Sequence, residues 1–175
     1  MYCCCGLAVA SQAPPGPSSA TMALSTCRVL CFRLGPGQEL VAELTARCQQ
    51  AGLRAAFVVT CVGSVSGCRL RLASTPDGRT DTYMDSSEFL EICGLVGTVS
   101  PDGAHLHVTL GRADGSTLSG HVMSLTVQTT AELVVGEAED LEFCREEDTG
   151  TGYRELVVRE RERGLTRGSE ISPDK

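Results

Sequence analysis

His105-Leu-His-Val-Thr-Leu-Gly-Arg-Ala-Asp-Gly-Ser-Thr-Leu-Ser-Gly-His121 holds all three histidines of the chain, and its reading organises everything around it. Leu106, Val108 and Leu110 alternate with His105, His107 and Thr109, the period of two that sends successive side chains to opposite faces of a strand. Arg112-Ala113-Asp114-Gly115 has the composition of a type I turn, with Gly115 as the left-handed residue of a three-residue hairpin loop. Counting outward from that loop pairs Arg112 with Ser116, His107 with His121, and His105 with position 123. The three imidazoles then share one face. A two-residue loop at Asp114-Gly115 would shift the register by one and send His121 to the other side. With the longer loop the three rings converge as neutral imidazoles can around zinc, leaving one coordination position open. The plainer alternative is that the histidines are polar side chains of a half-exposed sheet.

The chain has 175 residues, of which 42% are hydrophobic and 4% aromatic, with no Trp. That is enough for one domain with a proper core, built mainly from Val, Leu, Ala and Cys. A net charge of −7 argues against nucleic-acid binding through the phosphate backbone, which needs clustered Lys and Arg. No apolar run reaches the length of a membrane-spanning helix.

The ten cysteines form neither a disulfide framework nor a zinc-finger pattern, because no C-x-x-C pair is present. Nor does the N-terminus show the basic region and continuous apolar stretch of a secretory signal. Free, mostly buried thiols in a reducing compartment are expected, and the cytoplasm is the expected location. Cys3-Cys4-Cys5 is a candidate for lipidation, without a second membrane signal to accompany it.

Residues 1–24 are rich in Ala, Ser and Pro and are expected to be a disordered leader, with Met22 as an alternative start. The domain is expected over 25–160. A strand at 26–34 ends at Gly35-Pro36-Gly37. A helix follows over about 38–51, with Leu40, Val41, Leu44, Cys48 and Ala51 at amphipathic spacing. Glu39 stands in its first turn, Arg47 near its end and Gly52 just past it. Strands are expected at 54–62 and 65–74, separated by Gly63-Ser64, and 75–79 reads as a surface turn. A strand ending at Ser100 closes at Pro101-Asp102-Gly103, ahead of the histidine hairpin. The second hairpin strand continues to about Val135 with a bend near Ser124. A short strand at 141–145, a turn at 146–150 and a last segment at 153–159 precede a flexible charged tail at 161–175. This order gives an α+β domain: a mainly antiparallel β-sheet with one or two flanking helices. Residues 54–62 and 92–99 are apolar on both faces, and a subunit interface would cover the second face.

The motif order resembles the PPC domain, the plants and prokaryotes conserved module, over roughly residues 26–158. The matching pieces are Arg33-Leu34-Gly35-Pro36-Gly37, Cys61-Val62-Gly63-Ser64-Val65, and Glu91-Ile92 with Leu95 and Gly97. Asp102-Gly103-Ala104-His105-Leu106-His107, Ser119-Gly120-His121, Ala131-Glu132-Leu133 and Glu147-Asp148-Thr149-Gly150 follow in order. The resemblance implies an α+β subunit of a homotrimer. It also implies that His105, His107 and His121 correspond to histidines that hold a metal, zinc in expectation, in some prokaryotic members. Plant members join the module to AT-hooks that bind the DNA minor groove. This chain departs there, having no Arg-Gly-Arg-Pro core, and Phe89-Leu90 precede Glu91 where plant members resemble Gly-Arg-Phe-Glu-Ile.

The function expected first is a non-enzymatic homotrimeric module that binds a metal, with a small-molecule ligand at a subunit cleft. A metal-dependent hydrolase or lyase using zinc-bound water is the alternative, and a nuclear DNA-associated scaffold is carried by the resemblance alone. An enzyme would need a general acid or base. Glu91 and Glu132 are the candidate carboxylates, because each lies in a strand pattern where a charge needs a reason. Each could equally face solvent, or an arginine such as Arg69 or Arg71 of another subunit. Ser64 lacks a nucleophile-elbow pattern, and Cys61 and Cys93 fit apolar strands, so no covalent nucleophile is nominated.

Overall fold

The computed structural model of the chain describes residues 23–73 and 81–161. The leader up to residue 22, the turn expected at 75–79 and the tail from 162 lie outside them. Element order is β1 (Cys27–Leu34), α1 (Leu40–Gln50), β2 (Ala56–Arg71), β3 (Tyr83–Ser86), β4 (Leu90–Ser100), β5 (Gly103–Gly111), β6 (Thr117–Ala138), β7 (Leu141–Glu147) and β8 (Arg154–Glu160). Six strands form one sheet in the order β1-β6-β5-β4-β2-β3, and β7 pairs with β8 in a separate hairpin. Every pairing is antiparallel, as expected. β6 also pairs with β2, so β2, β4, β5 and β6 complete a closed circuit of ladders. No helix among the described residues is long and apolar enough to cross a membrane.

The helix forms where the apolar spacing places it. Leu40, Leu44 and Cys48 are buried one turn apart. Glu39 is its N-cap rather than a first-turn residue: its carboxylate accepts from Val41 N at 3.2 Å and Ala42 N at 2.7 Å. The same carboxylate accepts from Leu125 N at 2.9 Å, fastening the helix to β6. The C-terminal turn closes through Ala51 N and Gly52 N onto the carbonyls of Arg47 and Gln49.

Two expectations change. The strands expected at 54–62 and 65–74 are one strand, β2, with register shifts on both sides of Gly63. Gly63, at φ +140°, lets the backbones touch: a Cβ there would lie 2.0 Å from Thr130 O. The glycine allows a bulge, and the ladder runs on past it. β3 is only four residues long, too short to show a strand period, yet it pairs with Cys68–Arg71 at the sheet edge.

Leucine dominates the core: Leu34, Leu40, Leu44, Leu70, Leu106, Leu110, Leu125 and Leu133 are all fully or almost fully buried. Each such side chain contributes roughly 1.5–3 kcal/mol relative to solvent exposure. Leu141 and Phe143 of β7 form a smaller cluster with Ala55, Ala138 and Val158, docking the second hairpin beside the sheet. The strands read as apolar on both faces do show apolar side chains to solvent in the single chain, namely Val59, Val62 and Val96.

Candidate metal centre

The turn between β5 and β6 has the three-residue geometry. Arg112 N donates to Ser116 O at 2.8 Å, Gly115 N to Arg112 O at 3.0 Å, and Gly115 has φ +83°. Asp114 Oδ1 accepts from the amide and hydroxyl of Ser116 at 2.9 and 2.7 Å, which stiffens the loop. The resulting register places His107 opposite His121.

His105 does not pair with Met123. β6 leaves β5 at His121 and turns onto β2, where Arg71 faces His121. The bend expected near Ser124 is a bulge at Met123, between the pairs Leu70–Val122 and Arg69–Ser124. His105 is held instead by β4, opposite Thr98, while His107 lies opposite Val96. Between them stands Gly97 at φ +141°, where a Cβ would fall 2.0 Å from His105 O. Only glycine permits that approach of β4 to β5.

The three histidines meet. Each offers a nitrogen, and the three ligand atoms lie within 4.8 Å of one another. His105 Nε2 and His107 Nε2 are 3.2 Å apart. Two nitrogens on one tetrahedral zinc, each about 2.0–2.1 Å from the ion, stand about 3.4 Å apart. The pair already has the spacing of ligands. His121 Nδ1 is buried without a hydrogen-bond partner among the described residues, a costly state for a ring nitrogen unless an ion or other group engages the ring.

Burial and nearby cations hold two of the rings, His121 and His105, toward the neutral form. Burial first, then Arg71 and the other two histidines, pushes His121 down to about 4. His105 is lowered by burial, then by Arg145 and His107, against an opposing effect from Glu155. Neutral imidazole is the form that ligates a metal.

A cavity of about 340 Å³ opens beside His105 and His121, walled by Arg71, Asp102, Arg145 and Tyr153. Arg145, on β7, reaches across β4: its NH1 lies 3.4 Å from His105 Nδ1 and its NH2 donates to Thr98 Oγ1 at 2.9 Å. Its backbone N donates to Asp102 at 2.9 Å. Arg71 stacks on Tyr153, 5.5 Å from the ring centre. The second hairpin therefore supplies one wall of the site.

Glu91 and Glu132 are exposed and are not brought to the histidines. Glu91 pairs with Gly111 and Ser64, about 23 Å along β4 from the residue facing His105, at the usual rise per strand residue. Glu132 pairs with Val62 and Arg33, toward the far end of β6. The carboxylates that line the cavity are Asp102 and Glu155; Asp102 stands in the matched motif ahead of His105, but the sequence nominates neither as a site residue. Asp102 reads as a turn residue, and Glu155 and Arg145 sit in charged stretches whose pattern says only strand or surface. Their proximity arises from the docking of β7 and β8, which no local signal encodes.

Residues 22–139 match the family model described as the Plants and Prokaryotes Conserved (PCC) domain. The chain is 40% identical over 154 residues to the "Bifunctional protein GlmU" of Synechococcus sp. strain JA-3-3Ab, an alignment that takes in 87% of the chain. It spans 23% of that relative's length. A hypothetical protein from Salmonella is similar in structure at a TM-score of 0.74 and 38% identity, over 79% of this chain and 98% of that one. A metal-containing protein from Archaeoglobus fulgidus is similar at a TM-score of 0.68 and 26% identity, over 78% and 99% of the two chains.

Proposed function

The chain belongs to the Plants and Prokaryotes Conserved domain family, and from that premise we propose that it is a homotrimeric metal-binding module, zinc held by His105, His107 and His121, in a non-enzymatic binding role. The convergence of three imidazole nitrogens within 4.8 Å of one another carries this reading. The metal-containing relative from Archaeoglobus supports it, as do the neutral state of His105 and His121 and the orphaned nitrogen of His121. A zinc on three imidazoles would supply a Lewis-acidic position for one further ligand. Around that position this chain's residues orient a guest: Arg71 and Arg145 from two sides, with Tyr153 covering Arg71.

The exposed Val59, Val62 and Val96, which a monomer would leave in water, support assembly. The net charge of −7 sets direct DNA binding aside, and the cytoplasm is the proposed location. Elemental analysis combined with native mass measurement tests both parts. The expected result is one zinc per subunit in a trimer. Unchanged zinc content in a folded His105, His107, His121→Ala triple variant would mean that the metal sits elsewhere, and a monomer at micromolar concentration would remove the trimer.

A further inference from the structure

The walls of the histidine cluster are cationic, which is unusual company for a divalent ion. Arg71 faces His121 across the β2–β6 ladder and lines the same cavity. Arg145 touches His105, and Arg154 donates to Arg145 O at 2.5 Å, placing a third guanidinium at the rim. The nearby carboxylates are partly engaged. Asp102 accepts from Arg145 N, and Asp81 lies 3.8 Å from Arg71 NH1, leaving Glu155 as the other acid of the cavity. A divalent cation added beside these guanidinium groups would leave this pocket with excess positive charge, since like charges in a shielded site oppose one another. An anion resolves that conflict.

Proton placement leads to the same conclusion. A guanidinium is always a donor, so the Arg145 contact makes His105 Nδ1 an acceptor and puts the neutral ring's proton on Nε2, toward His107. When His105 ligates a metal through Nε2, the proton must move to Nδ1. Arg145 then faces another donor and loses its partner on the ring. Its NH1 is then free for an acceptor, with NH2 still anchored on Thr98, at the moment the site acquires an open coordination position.

We propose that the metal-loaded site is a receptor for a small oxyanion, a carboxylate or phosphonate-type group, which occupies the position left by the histidines and is held by the guanidinium groups of Arg71 and Arg145. This rests on the three-histidine reading above. The cavity, about 340 Å³, suits a small molecule, and the planar guanidinium matches the two oxygens of such a group. Metal and anion affinities are then coupled, each raising the other by the same factor.

The test uses full-length protein loaded with Co(II), whose visible absorption reports its ligands, in a buffer free of coordinating anions. Acetate and methylphosphonate are the anionic probes, and acetamide is the neutral control of acetate's shape. At least one anion is expected to shift the Co(II) bands saturably and to tighten Co(II) binding about fivefold or more, with acetamide inert. Which anion acts identifies the headgroup class. Arg71→Met and Arg145→Met should each weaken the anion effect at least about tenfold while holding one Co(II) per subunit. Arg69→Met, whose side chain pairs with Asp85 outside the cavity, should change nothing. Arg145→Met is also expected to bind Co(II) in anion-free buffer at least as tightly as the parent, because a repelling charge is gone. Bound Co(II) with spectra indifferent to both anions, or an equal response in the arginine variants, overturns the oxyanion proposal and leaves the metal reading standing. Failure to bind Co(II) at the histidines overturns both.

Discussion

β6 carries two clusters of titratable side chains, one near each end, and they are built in opposite ways. At Glu137 the carboxylate is wholly buried and engaged on both oxygens. Arg28 Nε donates to it at 2.6 Å, Arg54 N at 2.8 Å, and Arg161 approaches to 3.7 Å. At His121 the rings converge on one another, and a buried nitrogen lacks a partner among the described residues. A polar group whose bonds are all answered from within the fold is a fastener. Convergent groups left unanswered are a binding site.

The strongest way to break that contrast is Glu137→Ala. It leaves Arg54 N and Arg28 without their acceptor and should cost about 3 kcal/mol in chemical denaturation, with zinc content per folded subunit unchanged. The converse variant, His107→Ala, should lower zinc affinity about 100-fold or more by competition with a chromophoric chelator. It should move the metal-free protein's unfolding midpoint little, because His107 is exposed. If Glu137→Ala lost metal while keeping its stability, the two ends would not be separable.

Gly97→Ala joins the two kinds of effect. The added Cβ meets His105 O, so β4 must part from β5. A loss of stability of about 1–3 kcal/mol, together with weakened zinc binding, is expected from denaturation and metal titration. Thr82→Ala in the same measurements should do neither.

Deleting Ala113 separates two accounts of how His121 is positioned. From sequence, the loop alone sets the register, and a shortened loop would swing His121 away. The structure adds the long ladder of β6 on β2, in which Arg71 also holds His121 in place. That ladder should confine the damage to the hairpin tip, with zinc affinity within about tenfold of the parent. Collapse of binding in a folded deletion variant would return control to the loop.

The smallest effect concerns the core thiols. Burial pushes Cys48 up to about 11 and Cys61 up to about 12. Unfolded thiols ionise near 9, so this contribution to stability is complete below that pH and is lost as pH rises through 9 toward 11–12. Cys48→Ala and Cys61→Ala should flatten the alkaline fall measured by denaturation. Alkylation of the folded protein should reach the exposed Cys27, Cys31 and Cys93 and spare Cys48 and Cys61 until unfolding.

Much of the site could be read from the chain because its register is local. His107 and His121 are joined by a short turn whose residues state its type, and alternation does the rest. The helix was legible for the same reason. What the sequence concealed is non-local. Glycine looks like a strand break at Gly63 because its usual role in turns is more frequent than its role in bulges. Counting along the hairpin gives position 105 the wrong neighbour, because the crossing of β6 from β5 to β2 has no signature within either strand. Arg145 and Glu155 arrive from a second hairpin whose docking depends on Leu141 and Phe143 finding Ala55, a contact between segments far apart in the chain.

Since β6 runs unbroken through three ladders, its length is not free to drift. A residue gained or lost between His121 and Glu137 would turn one of them inside out relative to the other, exchanging a clustered imidazole for a surface group or a fastener for a buried, unanswered charge. Variation in chain length should therefore accumulate at the hairpin tips, Ala113–Gly115 and Thr149–Gly152, and spare the strand. A collection of random single-codon insertions, sorted for folded protein, would show this as an empty interval with crowded margins.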